Sequence, residues 1–406
     1  MKRVLFLTYH FPPEGGPAVQ RVLKFVKYLP CFGYEPIVLT SLHPIKVQDP
    51  DLLADIPSSI RVYRILDPFA WLPFAFRKWF GGNRIPDRHI TWKHFVLRKA
   101  EKILQKEKID LLFSSSPPHS IQVIAKALAS QYNLPWIADF RDEWTRDSYF
   151  SPNAQISKLE KETLQACQAI TTVTLAARKN FLDITNSTVP VYFLPNGYDP
   201  EDFEERILLK TKKSHKLNIT YCGRFTKKSS PHPFFEGLRD VLSQEPFWKL
   251  HLHIRVIGGT KNSRVMTLFP ELKPIVEFIP YQPHNRALAL MQEADVLLLL
   301  STGKPGSEIP TGKVYEYMAS QKPILAIVSH QGELSEMLSH YGNAYLAILS
   351  EEGAVSRTLR EIFQNWKNGK LEKSIQLQWV EQFDRKKQTA ALAKIFDSVL
   401  GKREHE

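Results

Sequence analysis

Along the chain, short solid runs of apolar residues alternate with stretches in which apolar positions recur at helical spacing. Val4-Leu-Phe-Leu-Thr8 is the first such run, as expected of a strand covered on both faces. A loop over 9–17 leads into a segment with apolar residues at 19, 22, 23, 26 and 29, which predicts a helix. Residues 36–40 form the second run. A β-loop-α-β start with glycine in its first turn is how a doubly wound sheet opens. Runs at 110–114, 135–139, 169–173 and 191–194 predict further strands, with helices between most of them, for example over 120–131. The turn-forming Pro195-Asn-Gly-Tyr-Asp-Pro200 then interrupts the pattern, and a lysine-rich connector over 206–217 follows. A second set begins with 217–221 and continues through 250–257, 276–279, 295–300, 323–328 and 344–347. Strands alternating with helices in both halves predict two Rossmann-like sheets. The 406 residues suit two domains of about 200 residues each. Boundaries are placed at 1–198 and 199–382, with an amphipathic helix from 383 to the end of the sequence. No repeat of solenoid length is present.

The segment richest in chemistry is Glu308-Ile-Pro-Thr-Gly-Lys-Val-Tyr-Glu316. A proline ahead of a hydroxyl residue and a small residue is a helix start. With Thr311 as the cap, the amides of Gly312, Lys313 and Val314 face out of the helix end and can hold a phosphate. Glu308 then lies in the loop beyond the phosphate, and Glu316 lies about one turn inside the helix, roughly 6 Å along the axis from Gly312. One carboxylate could take the hydroxyls of a sugar and the other those of a ribose, with a diphosphate between them. For an isolated pair of this kind, a surface helix with two solvated glutamates is the better reading.

The Glu308/Glu316 pair, with Lys313 and the Glu-Tyr-Met-Ala continuation, resembles the E-x7-E motif of retaining glycosyltransferases of the two-domain GT-B fold, family 4. Four further segments stand in the same order as in that family: Phe11-Pro-Pro-Glu-Gly-Gly-Pro17, Pro195-Asn-Gly-Tyr-Asp199, Tyr221-Cys-Gly-Arg-Phe225 and Ala294-Asp-Val-Leu-Leu298. The resemblance implies two Rossmann-like doubly wound domains facing across a cleft, with the C-terminal helix returning to the N-terminal domain. It implies transfer of a sugar from a nucleotide diphosphate donor to an acceptor hydroxyl with retention at the anomeric carbon. In the family an Arg and a Lys at the start of the second half hold the donor diphosphate. Arg224 matches directly, and a guanidinium fork suits two phosphate oxygens. Of the adjacent Lys227 and Lys228, Lys228 is chosen by its distance to Pro231 and Phe234, although paired lysines are also usual in a solvated loop.

In the first half, Gly15 and Gly16 follow the first strand, where the lack of a side chain lets backbone amides approach a diphosphate or an acceptor; a simple turn is the other reading. His119, in Ser114-Ser-Ser-Pro-Pro-His-Ser, and Asp139, Arg141 and Asp142 follow later strands. These four are candidates for the acceptor side or for an internal polar network. The catalytic set is therefore Glu308, Arg224, Lys228 and His119, with Gly15, Gly16, Gly312, Lys313, Val314 and Glu316 on the donor. No ligand set with metal spacing stands out, so the donor is expected to need no metal and no cofactor. A sugar-nucleotide epimerase and a non-catalytic scaffold of the same fold are the competing readings.

Charge adds one feature. From 61 to 108, twelve Lys/Arg face four acids, so this stretch carries a surplus of eight in a chain of net charge +12. Phe69, Trp71, Phe74, Phe76, Trp79, Phe80, Trp92 and Phe95 are interleaved with the charges. The mixture fits an anionic membrane surface; with no nucleic-acid motif, a nucleic-acid partner is not expected. Packing of the aromatics inside, with only the charges in water, is the alternative. A lipid-linked or polymeric sugar acceptor would follow from the first reading, as in cell-surface polysaccharide or glycolipid synthesis. The N-terminus breaks at Tyr9-His-Phe-Pro-Pro without a cleavage site, no run is long enough to span a bilayer, and the three scattered cysteines suggest reduced thiols. These predict a cytoplasmic protein, peripheral at the inner face of the membrane.

Overall fold

The computed structural model describes residues 1–45, 47–73, 76, 85–147, 152–203, 215–258, 263–303 and 310–403. The chain divides into two compact units, one of Met1–Pro195 with Arg385–Glu406 and one of Asn196–Asp384.

The first unit is built on strands β1 (Lys2–Thr8), β2 (Tyr34–Leu42), β3 (Arg61–Leu66), β4 (Leu111–Ser116), β5 (Trp136–Phe140), β6 (Ala169–Thr172) and β7 (Val191–Phe193). All pair in parallel, in the order β3-β2-β1-β4-β5-β6-β7. Its helices include α1 (Pro17–Tyr28), α2 (Lys93–Leu104) and α3 (Ser120–Tyr132). The solid apolar runs are explained by burial on both faces. Leu5 and Leu7 join Ile37, Leu39 and Leu112 in one core that includes α2 and α3. Val4 and Phe6 join Val38, Leu111 and Phe113 in the other, which includes α1.

The second unit repeats the architecture with β8 (Leu217–Cys222), β9 (Leu252–Ile257), β10 (Val276–Ile279), β11 (Val296–Ser301), β12 (Ile324–Val328) and β13 (Ala344–Ile348). The order is β10-β9-β8-β11-β12-β13, again all parallel. Ile219, Leu298 and Leu300 pack on one face and Leu297, Leu299 and Val328 on the other. Helices α4 (His284–Gln292) and α5 (Gly312–Ala319) flank β11 in sequence.

Helix α6 (Arg385–Arg403) follows the second unit in sequence but belongs to the first, as the C-terminal helix was expected to do. Leu392 and Phe396, both fully buried, join the core beneath α1. The Phe396 ring meets Tyr34 edge-on at 5.1 Å and Phe113 at 5.8 Å, and Tyr34 Oη donates to Asp397 at 2.6 Å.

Strand β3 was not among the expected strands. It is an edge strand with one buried residue among its six, and its arginines drew it into the basic-aromatic segment. Arg61 pairs with Glu35 at 2.8 Å and with Glu107, and Arg64 donates to the Pro12 carbonyl. Among the described aromatics of 61–108, Phe69 and Trp92 are buried, whereas Trp71, Phe76 and Phe95 are exposed; Phe74, Trp79 and Phe80 lie outside the described residues. No described helix is long and apolar enough to cross a membrane.

Because α6 completes the first core, Phe396→Ala should cost about 3–5 kcal/mol. The check is a urea titration read by a probe in the first unit, with the second unit's transition unchanged.

Candidate functional site

In an all-parallel sheet, strand order reverses where successive crossovers go to opposite sides, and the loops at the strand ends diverge there. The first sheet reverses between β1 and β4 and the second between β8 and β11. Most of the residues singled out in the sequence follow one of these four strands.

In the second unit, Gly223 and Arg224 leave β8, and α5 follows β11. Lys313, at the start of α5, reaches back to the end of β8. Its Nζ donates to Tyr221 Oη at 3.1 Å and lies 4.4 Å from the Tyr221 ring centre. Tyr221 Oη in turn donates to the Arg224 carbonyl at 3.1 Å, and its ring stacks on Phe225 at 4.9 Å. Gly223 makes this possible. Its φ is +130°, and a Cβ there would stand 2.6 Å from Lys313 Nζ. The Cys222 amide donates to Tyr317 Oη at 3.0 Å, so a second residue of α5 is tied to β8. Burial pushes the Cys222 thiol up to about 12, which makes it an unreactive packing group.

Arg224 is exposed and Lys228 half-buried. The Lys228 backbone is fixed: its amide donates to Thr226 Oγ1 at 3.2 Å, and its carbonyl accepts from the Thr302 amide at 3.0 Å. The loops after β8 and β11 are joined again by the Ser230 amide on Thr302 Oγ1 at 2.7 Å.

Thr311 occupies the N-cap of α5 in an extended conformation, without a side-chain capping bond. The Val314 amide is already bonded to the Thr311 carbonyl at 3.1 Å, and Val314 is fully buried. Of the three amides expected at this helix end, those of Gly312 and Lys313 therefore remain as outward donors, and a Cβ at Gly312 would meet no atom within 4 Å. Glu316 accepts from His284 Nε2 at 3.0 Å through Oε1, and His284 Nδ1 stands 3.9 Å from Asp202 Oδ2. His284 opens α4 and lies 32 positions from Glu316, so no local spacing announces the pair. Glu308 lies outside the described residues.

In the first unit, Gly16 has φ +98° and stands before Pro17 at the start of α1. The Gly15 amide donates to the Val47 carbonyl at 2.9 Å. It therefore holds the turn and is not presented to a ligand as the sequence suggested. Ahead of it, Glu14 Oε2 contacts His10 Nδ1 at 2.8 Å and His43 Nε2 at 3.4 Å. Burial pushes the Glu14 carboxyl up, but the two histidines outweigh it and hold it down at about 2.

His119 stands after β4 at the start of α3. Its ring lies parallel to Trp144 at 5.1 Å, and its buried Nδ1 has no hydrogen-bond partner among the described residues. Burial lowers its pKa, which favours the neutral imidazole. Asp139 resolves as part of an internal network. It is fully buried and receives Arg21 at 2.8–3.2 Å, Ser115 at 2.7 Å and Thr171 at 2.8 Å. Arg141 donates to the carbonyls of Ser116 at 3.0 Å and Pro117 at 2.8 Å, and to that of Ala18. It clamps the loop ahead of His119, whereas Asp142 is exposed.

Residues 216–365 match the family model described as Glycosyl transferases group 1. No curated protein matches the chain. Among solved structures, sucrose-phosphate synthase from Thermosynechococcus elongatus is similar over 99% of this chain and 100% of its own, at 16% identity and a TM-score of 0.70. Anabaena HepE, in complex with UDP and glucose, covers 98% and 100% at 14% identity and a TM-score of 0.68. The alpha,alpha-trehalose-phosphate synthase (UDP-forming) from Burkholderia vietnamiensis covers 98% and 100% at 12% identity and a TM-score of 0.65. The likeness runs the length of the chain and establishes the expected GT-B fold.

The Arg21–Asp139 pair generates a prediction. Removing one partner of a buried ion pair costs about 3–5 kcal/mol, so Asp139→Ala should destabilise the first unit by that order. Burial raises the Asp139 pKa, but Arg21 and the two hydroxyls depress it further, and the net shift is downward. The ionised form thus contributes stability above the unfolded pKa of about 3.9, and the contribution is lost as pH falls through the folded value. Acid titration of wild type and Asp139→Asn, followed by first-unit melting, should show the wild-type loss over that interval and a flatter profile in the variant.

Proposed function

We propose that the protein is a retaining glycosyltransferase that moves a sugar from a nucleoside diphosphate donor to an acceptor hydroxyl. The observation that carries this is the convergence of the end of β8, which Arg224 follows, with α5, which carries Lys313 and Glu316, at the reversal of the second sheet. This convergence falls within the segment matching the glycosyl transferases group 1 model. Basic groups and helix-end amides answer a diphosphate, and a carboxylate one turn inside the helix answers a diol.

The leaving nucleoside diphosphate develops negative charge as the glycosidic bond breaks. Arg224, Lys228 and the amides of Gly312 and Lys313 stabilise that charge without a bridging metal. Glu316 holds the ribose, and His284 keeps its carboxylate oriented by bonding one oxygen and leaving the other for the hydroxyls. Glu308 takes the sugar hydroxyls and sets the donor's orientation. In front-side attack the departing phosphate accepts the acceptor's proton, so no protein base is required on that face. The first unit binds the acceptor, with His119 and the Gly15–Gly16 turn as its contributions. The similar HepE structures hold UDP and UDP-glucose, and uridine is the first base to test here. A lipid-linked or polymeric acceptor at an anionic membrane face is the reading supported by the exposed Trp71, Phe76 and Phe95.

Melting curves against a panel of nucleoside diphosphates in EDTA should show one stabilising base, with the shift lost in Glu316→Ala and Arg224→Ala. Turnover in Arg224→Ala should fall about 100- to 1000-fold, and the product's anomeric configuration, read by NMR, should match the donor's. Wild-type turnover and affinity in both variants would refute the site. For the acceptor, flotation with anionic liposomes should succeed at low salt and weaken at high salt; no flotation at low salt removes the membrane reading.

A further inference from the structure

The loop after β1 carries a second constellation, in the first unit beside the Gly15–Gly16 turn and apart from the donor residues of the second unit. We propose that His10, Glu14 and His43 form a binding site for one divalent transition-metal ion, with Zn2+ favoured by ligand type. Two imidazoles and one carboxylate are a ligand set for such ions, and three protein ligands leave a coordination position open to water or another oxygen ligand.

The backbone brings the three together. The Glu14 amide closes a turn onto the Phe11 carbonyl at 3.2 Å, which swings its side chain back toward His10. Bonds from Gly15 to Val47 at 2.9 Å and from Asp49 to Pro13 at 2.8 Å pin this turn against the segment that follows His43. Glu14 Oε2 stands 2.8 Å from His10 Nδ1 and 3.4 Å from His43 Nε2, and all three ligand atoms lie within 4.8 Å of one another. Ligands of a tetrahedral Zn2+ with bonds of about 2.0–2.1 Å sit about 3.3 Å apart, so small side-chain adjustments would seat the ion.

The hydrogen bonding around His43 supplies an independent argument. Ser41 Oγ lies 2.8 Å from the Tyr9 carbonyl and 2.6 Å from His43 Nδ1. A carbonyl can only accept, so the Ser41 proton is committed to Tyr9. With the proton there, on a carbonyl that Thr40 Oγ1 also reaches at 3.0 Å, the tautomer that fits has His43 Nδ1 donating to Ser41. In the neutral ring this leaves Nε2 with a bare lone pair aimed at a carboxylate oxygen 3.4 Å away. Two acceptors face each other, and a cation between them resolves the conflict; the alternative is a proton on Nε2. Fixing one ring nitrogen by an outer hydrogen bond is how metal-bound histidines are oriented. Tyr9 stacks on the His43 ring at 4.9 Å and meets His10 at 5.1 Å. The ligand side chains are 28%, 17% and 12% exposed, so the ion can enter from solvent. Bound there, it would lock the turn that precedes Gly15 and Gly16.

The test uses the full chain stripped with EDTA. Titration with Zn2+ by calorimetry should give one site per chain with proton release, and Co2+ should give a visible spectrum of low-symmetry coordination. Glu14→Gln and His43→Gln should abolish both signals. Ser41→Ala, which keeps every ligand, should weaken Zn2+ by about 10- to 100-fold. His94→Gln, an exposed histidine elsewhere in the unit, should bind as wild type. Absence of both Zn2+ heat and a Co2+ spectrum in the wild type overturns the proposal. Binding that survives Glu14→Gln and His43→Gln overturns it too, by placing the ion elsewhere. Nucleotide melting shifts in EDTA are independent of the result, so this site and the donor site stand or fall separately.

Discussion

A parallel strand cannot return to its neighbour by a tight turn, so each strand here hands the chain to a connection that crosses over the sheet. The connections cover both faces, and this is why the strands are continuous apolar runs such as Val4–Thr8 and Val296–Ser301. Where the strand order reverses, two strand ends lose their covering crossovers to opposite faces, and an opening is left between them. His119 and the Gly15–Gly16 turn lie after the strands of one reversal, and Arg224 and α5 after those of the other. The placement of candidate chemistry thus depends on sheet topology before any side chain is considered.

Local bonds then fix what topology only approximates. Two residues of α5, Lys313 and Tyr317, are bonded to the end of β8. The start of the helix therefore cannot move without disturbing the strand. Gly223 is the point of closest approach, since only a residue without a side chain allows both the backbone conformation and the passage of the lysine. In the first unit the corresponding role is played by charge. The fully buried Arg21–Asp139 pair, with Ser115 and Thr171 filling the remaining acceptor positions, joins α1 to β5 and to the strands on either side.

Most of this fold was legible because burial on two faces writes itself into the sequence as solid apolar runs. The exception, β3, lies at a sheet edge and buries one of its six residues, so its Arg61 and Arg64 read as part of a charged surface. In fact both arginines are committed to partners inside the unit. The candidate site was legible where its chemistry is local, as in the run from Thr311 to Glu316. It was not legible where partners are remote in sequence. His284 meets Glu316 and His43 meets Glu14 only because strand ends gather at one edge of a sheet. Nor can a motif show which amides are already spent, as those of Gly15 and Val314 are.

The membership of α6 in the first unit has a consequence for synthesis. The first sheet and α1 emerge from the ribosome early, yet the side chains that finish their core, Leu392 and Phe396, come only after the whole second unit. Until then the nascent chain carries an apolar patch around Tyr34 and Phe113 with nothing native to cover it, the kind of surface that chaperones hold and that misassembles when crowded. Completion of the first unit is therefore a late event in folding, and the second unit is free to fold before it.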